Sequence, residues 1–247
     1  SEADKRRLEA LKKAFKDAQS YTPPIAGDGK KPDLALLALQ PYVRGQAPVI
    51  FNVDKEAEIR AAVALAEEFK LKYILSGLAE GYKVAPFLKE KNAPCLVGDV
   101  LAQPEDQAAP YDVNYGNPAA LYRAGVRFAI VSGETSNARN LPYHAAMAAA
   151  YGLPVESALE AITLMPARIL GIDRDYGTLE VGKVGNLFLA TGSPLDARTQ
   201  VKAIFIKGEP VDMENRHDAL YRKYLKRLEP GASAPIKAAR DSAARAR

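Results

Sequence analysis

Glu156 to Ile172 reads E-S-A-L-E-A-I-T-L-M-P-A-R-I-L-G-I, Asp175 to Gly192 reads D-Y-G-T-L-E-V-G-K-V-G-N-L-F-L-A-T-G, and Val201 to Val211 reads V-K-A-I-F-I-K-G-E-P-V. Ala158, Leu159, Ile162 and Thr163 recur at helical spacing. Pro166 has no N–H to give a helix interior but suits a helix start, so a second short helix is expected through Leu170. Gly171 then stands where a left-handed cap is wanted. Gly177 and Gly182 mark turns around an extended Thr178-Leu179-Glu180. Leu187 to Ala190 and Ala203 to Ile206 read as short apolar strands, closed by Gly192 and Gly208.

Upstream, Asp4 to Gln19 carries Leu8, Leu11, Ala14, Phe15 and Ala18 on one helical face. A Pro/Gly/Lys-rich loop, Ser20 to Pro32, leads to Asp33, which is placed to cap a second helix through Leu39. The chain then alternates. Pro48–Val53, Lys72–Gly77, Ala93–Val100 and Arg127–Gly133 read as strands. Lys55–Lys70, Tyr82–Glu90, Pro118–Ala124 (with Asn117 as cap) and Pro142–Tyr151 read as the helices that follow them. Such alternation predicts parallel βα units and an α/β fold.

The 247 residues are 48% hydrophobic and 26% charged, the composition of a globular chain with one large or two small cores. The net charge of +4 is mild, and much of it lies in the tail, at Lys237, Arg240, Arg245 and Arg247. No aromatic residue interleaves with those cations, so neither a nucleic acid nor a membrane is an expected partner. Cys95 is alone, which excludes an internal disulfide and a cysteine zinc cluster. No apolar run reaches membrane-spanning length, and the first residues are not expected to be a signal peptide.

As a linear pattern the chain resembles the C-terminal region of the metal-dependent amidohydrolase superfamily, in its imidazolonepropionase-like branch. The residues that carry the likeness are Ala158-Leu159, Ala161-Ile162-Thr163, Pro166 to Gly171 and Gly177 to Lys183. Ala138 to Tyr143 and Ala148 to Leu153 add to it, and the whole runs from about Pro41 to Val211. The resemblance implies the C-terminal half of a (β/α)8 TIM-like barrel plus part of a small β-sandwich. On that mapping the four strands are the fifth to eighth of the barrel. Residues 1–40 form an N-terminal helical segment and linker, 41–175 the second half of the barrel, 176–212 the sandwich strands, and 213–247 a terminal helix and basic tail. Half a barrel leaves two sheet edges and an apolar interior uncovered. A companion polypeptide, or a missing N-terminal half, is therefore expected to complete it, and the chain alone is expected to be insoluble or a homo-oligomer. The setting the resemblance implies is a bacterial cytoplasm or periplasm.

The family's reacting groups sit at the C-terminal strand ends, where histidines of strands one, five and six and an aspartate of strand eight hold divalent metal. Here the fifth-strand position is Asn52, a poor transition-metal ligand. The sixth falls at Ser76 or Gly77, and the eighth in Ser132-Gly133-Glu134. Glu134 and Asn52 are the candidate catalytic residues, with Glu134 as base or ligand. No cofactor-binding residue and no metal ligand is expected from this chain. Zinc or another divalent ion is expected only where a companion half supplies ligands. The two histidines, His144 and His217, lie on helices and away from strand ends, as surface or hydrogen-bonded residues. Cys95 reads as an inert buried thiol. Asp99, Glu105, Asp106 and Asp112 read as a solvated acidic loop. G-x-S-x-G and phosphate-loop patterns are absent. Three functions stay open: a pseudoenzyme on an amidohydrolase scaffold, a working hydrolase of carbon–nitrogen bonds, and a structural or assembly subunit.

Overall fold

The computed structural model describes residues 2–24, 31–104, 106 and 108–227, with side chains from Lys5 onward. The basic tail and Glu105 lie outside these residues. The chain divides into two compact units, residues 1–183 with 192–199, and residues 184–191 with the chain from 200 onward.

The first unit is built on a four-stranded parallel sheet. Its strands are β1 (Val49–Val53), β2 (Tyr73–Gly77), β3 (Cys95–Val97) and β4 (Phe128–Ile130), side by side in that order. The register pairs Asn52 with Ser76, Ser76 with Leu96, and Leu96 with Ala129. This is the arrangement expected from the alternating sequence, and it is the sheet of a partial barrel.

Helices follow each strand, as single crossovers in a parallel sheet require. They are α3 (Glu56–Phe69), α4 (Ala85–Glu90, entered through a 3-10 turn at Gly81–Val84), α5 (Val113–Arg123) and α6 (Leu141–Ala150). Two short helices, α7 (Val155–Glu160) and α8 (Leu164–Leu170), come next. Gly171 ends α8 at φ +71°, the left-handed cap its position called for. Glu58 accepts the Lys55 backbone N–H at 3.2 Å and so closes the start of α3.

One face of the sheet is covered by these helices. Leu75, Cys95, Val97, Phe128 and Ile130 pack there with Ile59, Val63, Leu88 and Leu121. On the opposite face Ile74 and Ala129 are buried, but Ile50 is 52% exposed and Asn52 is open to solvent. β1 is an end strand of the sheet. At the other end, the Ile130 N–H bonds to the Ala161 carbonyl at 2.9 Å.

A second, smaller core joins α1 (Glu2–Ser20) and α2 (Leu34–Val43) to α3. Phe15 meets Phe69 edge-on, with ring centroids 5.4 Å apart. Asp33 caps α2 through its Oδ1, which accepts the N–H groups of Ala35 and Leu36 at 3.0 and 3.1 Å.

Three expectations need correction. The α1 stripe is only half used, because Phe15 and Ala18 are buried whereas Leu8 and Leu11 are exposed. α2 runs four residues past Leu39, with Pro41 inside it. α5 starts at Val113, so Pro118 lies inside the helix and Asn117 is no cap. Asn117 is buried instead and donates to the Leu78 carbonyl at 2.8 Å, a tertiary bond that local sequence does not encode.

The second unit has an antiparallel sheet of β5 (Leu187–Ala190), β6 (Val201–Ile206) and β7 (Glu209–Pro210). Lys207 and Gly208, both at positive φ, make the two-residue hairpin between β6 and β7. α9 (Arg216–Arg227) follows.

Leu75 is fully buried at the centre of the parallel sheet. Leu75→Ala is expected to cost about 2–5 kcal/mol in urea unfolding. Asp33→Ala, which removes only a cap, is expected to cost about 1 kcal/mol. Equal losses would refute this placement of the core.

Candidate functional site

Parallel strands all end on one side, so their C-terminal ends gather side chains from distant parts of the sequence. At the end of β1, Asn52 is exposed and Asp54 turns back across the end of β2. Gly77 takes φ +96° and Leu78 φ +65°, a sharp left-handed turn. The Leu78 N–H bonds to the Val53 carbonyl at 2.8 Å, and Asp54 Oδ1 accepts the Ala79 N–H at 3.3 Å. A Cβ at residue 77 would lie 2.5 Å from Asp54 Oδ1. A histidine therefore has no room at Gly77 while Asp54 holds its place.

Beside this turn, Glu80 binds the Glu56 N–H at 2.8 Å and the Lys83 ammonium at 2.7 Å. The Lys83 contact and then the Glu56 N–H hold the Glu80 carboxyl below its usual range. A cavity of about 300 Å³ opens here, with Asp54, Glu80, Lys83, Asp106 and Asn114 in its wall. Neither Asn52 nor Glu134 lines it. A more open depression of about 630 Å³ lies at the opposite, N-terminal strand ends, among Lys72, Pro94 and Arg168. In barrels that face serves stability, not chemistry.

Glu134 follows β4 and leads into a 3-10 turn at Thr135–Asn140. It is exposed, and its Oε2 accepts the Ser136 hydroxyl at 3.3 Å. Its carboxylate is thus a solvated one.

A different carboxylate has a buried partner. Asp99 leaves β3 after Gly98, whose missing Cβ would stand 2.8 Å from Val131 Cγ2, just past β4. The Asp99 side chain is 38% exposed, yet its Oδ1 is buried. His144 Nδ1, reaching over from α6, lies 3.3 Å from that oxygen. His144 itself is only 2% exposed. Burial pushes its pKa down and so favours the neutral imidazole, against the opposing pull of the Asp99 charge. Neither Asp99 Oδ1 nor His144 Nδ1 has a hydrogen-bond partner.

So Asp99 is not the fully solvated loop acid expected from the sequence, and His144 is no surface residue. No periodic signal links them, because 45 positions of chain separate the strand end from the helix. A histidine among the alanines of α6 was the one local hint. Asp106, in contrast, is exposed as expected. His217 is exposed at the start of α9.

Amidohydrolases commonly use divalent metals such as zinc, and the resemblance places that group at the strand ends. Among the described residues no three His, Cys, Asp or Glu side chains come together as a metal site. Asn52, Ser76 and Gly77 do not supply the missing imidazoles. The side chains at these strand ends, among the described residues, therefore do not gather into a metal centre. Cys95 offers nothing in its place: it is fully buried, and burial pushes its thiol up to about 12.

Comparison with known proteins agrees with the sheet. The amidohydrolase family matches residues 113–211. Over 62 residues the chain is 39% identical to N-acetylglucosamine-6-phosphate deacetylase of Caenorhabditis elegans, covering 25% of this chain and 14% of that protein. An amidohydrolase from Thermotoga maritima MSB8 has 25% identity and a TM-score of 0.68, covering 85% of this chain and 53% of its own. A prolidase solved with N-methylphosphonate-L-proline has 17% identity and a TM-score of 0.54, over 73% of this chain and 48% of its own, a likeness of fold alone. The chain thus spans about half the length of these solved structures and a small part of the curated relative. Residues 113–211 thus match the amidohydrolase family, and the α/β fold is similar to part of a solved amidohydrolase.

Gly77→Ala is expected to lower stability by more than about 1 kcal/mol, from strain at positive φ and the clash with Asp54. Gly77→His should do no less, and unchanged melting of either variant would contradict the turn. Thiol labelling at pH 8 should leave native Cys95 untouched and modify it on unfolding. Rapid labelling of the native chain would place that thiol elsewhere.

Proposed function

We propose that this chain is the C-terminal half of an imidazolonepropionase-like barrel that keeps the scaffold and has lost the family's metal centre. It works as a binding protein for a small nitrogen-bearing ligand rather than as a hydrolase. The observation that carries this reading is the turn at Gly77. There the Asp54 carboxylate lies where a side chain at residue 77 would begin, which supports reading this strand end as one without its ligand. Asn52, one strand over, points the same way.

The reading includes a companion that supplies the first four strands. Its support is the end strand β1, with Ile50 half exposed on the face a full barrel would enclose. Burying such apolar surface contributes roughly 25 cal/mol per Å². A second reading, a working hydrolase of carbon–nitrogen bonds, is favoured by Asp99, a strand-end carboxylate with a buried imidazole behind it.

Turnover separates the two. Chain joined to its companion should leave N-acyl sugars, cyclic amides and Xaa-Pro dipeptides intact. Chelator-sensitive hydrolysis of any of them, abolished by Glu134→Gln, would overturn the binding reading. The companion itself is tested by light scattering. The chain alone is expected to associate or precipitate, and a stable monomer would count against a missing half.

A further inference from the structure

The cavity of about 630 Å³ at the N-terminal strand ends has charges of one sign in its wall. Lys72, Lys91 and Arg168 line it, and no aspartate or glutamate does. Lys91 is neutralised from outside that wall, by Glu67 at 2.7 Å. Lys72 and Arg168 are exposed, and among the described residues neither side chain has an ion-pair or hydrogen-bond partner. Tyr73, half-buried in the same wall, keeps its proton, because burial and then the Glu67 charge push its hydroxyl up. Two uncompensated positive charges therefore share one cavity with no carboxylate to answer them.

Much of the remaining wall is apolar. Leu71 is buried and Pro94 half-buried, whereas Leu170, in the last turn of α8, is 52% exposed. The α8 carbonyls of Ala167 and Arg168, which would repel an anion, are taken up by the N–H groups of Ile172 and Gly171 at 2.9 and 3.2 Å. Small-molecule sites occupy about 300–1,000 Å³ and join apolar walls to a few polar groups that fix orientation. The cavity at the opposite strand ends is different, since Asp54, Glu80 and Asp106 stand there among its lysines. A small, strongly hydrated anion would gain nothing from the apolar wall. A carboxylate on an apolar body uses both parts, and a guanidinium offers it two parallel N–H donors.

We propose that this cavity binds a small monocarboxylate with an apolar body, its carboxylate held by Arg168 and Lys72 and its body lying against Leu71, Pro94 and Leu170. The site is on the face away from Asn52, Gly77 and Glu134, and it gives the N-terminal strand ends a binding role without chemistry. It needs neither a metal nor a nitrogen on the ligand, and so goes beyond the function proposed above without resting on it.

The test is saturation-transfer NMR with 4-phenylbutyrate on the 247-residue chain, joined to its companion should the chain alone precipitate. A Kd on the order of 1 mM or tighter is expected for a probe of this size. 4-Phenylbutylamine, with the same body and the opposite charge, should bind at least about tenfold more weakly, and so should acetate, which has the carboxylate without the body. Arg168→Gln and Lys72→Gln should each weaken phenylbutyrate at least about fivefold, and Leu170→Asp should abolish its binding. All three positions are exposed, so the variants should melt as the parent does. Lys55→Gln, at the opposite strand ends, should leave binding unchanged. No binding of phenylbutyrate at about 10 mM would overturn the proposal. So would equal binding of the amine, or binding that the Arg168 and Lys72 variants both retain, which would place the probe elsewhere. The probe carries no nitrogen and no turnover is read, so failure here leaves the function proposed above untouched, and the converse holds.

Discussion

The parallel sheet is the constraint on which the first unit depends. Parallel strands are stable when both faces are covered. Here one face is covered within the chain, by side chains of α3, α4 and α5 packed on Leu75, Cys95, Val97, Phe128 and Ile130. Each large apolar side chain fully buried contributes roughly 1.5–3 kcal/mol, so this layer dominates the stability of the unit. The other face is covered unevenly, closed at Ile74 and Ala129 and open at Ile50 and Asn52. That asymmetry places the open part of the sheet at the end strand β1.

The same sheet governs the chemistry. Because all four strands run the same way, Asp54, Asp99 and Glu134 follow β1, β3 and β4 on the side where Gly77 ends β2. What separates them is their surroundings. Glu134 faces water and bonds to Ser136. Asp54 is spent on the turn at Gly77 and Ala79. Asp99 alone of these carboxylates meets a buried imidazole. A carboxylate that faces water keeps ordinary solvation, whereas one set against a buried polar group has its orientation and its partner prescribed.

Much of the fold was legible in the sequence. Strands β1 to β4 were apparent from their apolar, β-branched runs, and the helices from their stripes and stops at Asp33 and Gly171. Misreadings arose where a residue has two local meanings. Asn117-Pro118 is a good helix start by propensity, yet Asn117 is drawn inward to bond the Leu78 carbonyl, and α5 begins a turn earlier. Leu8 and Leu11 continue the stripe of Phe15 and Ala18, but the small core they point toward does not extend that far.

By itself the sequence determined the class, the order of the elements, and which side chains stand at the strand ends, because periodicity, turn residues and residue identity are local properties. Tertiary structure alone decided what lies against Gly77 and which carboxylate has a buried partner. Asp54 covers Gly77 because two adjacent strand ends turn toward each other. His144 meets Asp99 because α6 packs against β4 and brings its buried side to the end of β3. Such meetings depend on distances between segments far apart in the chain, and no linear pattern carries them.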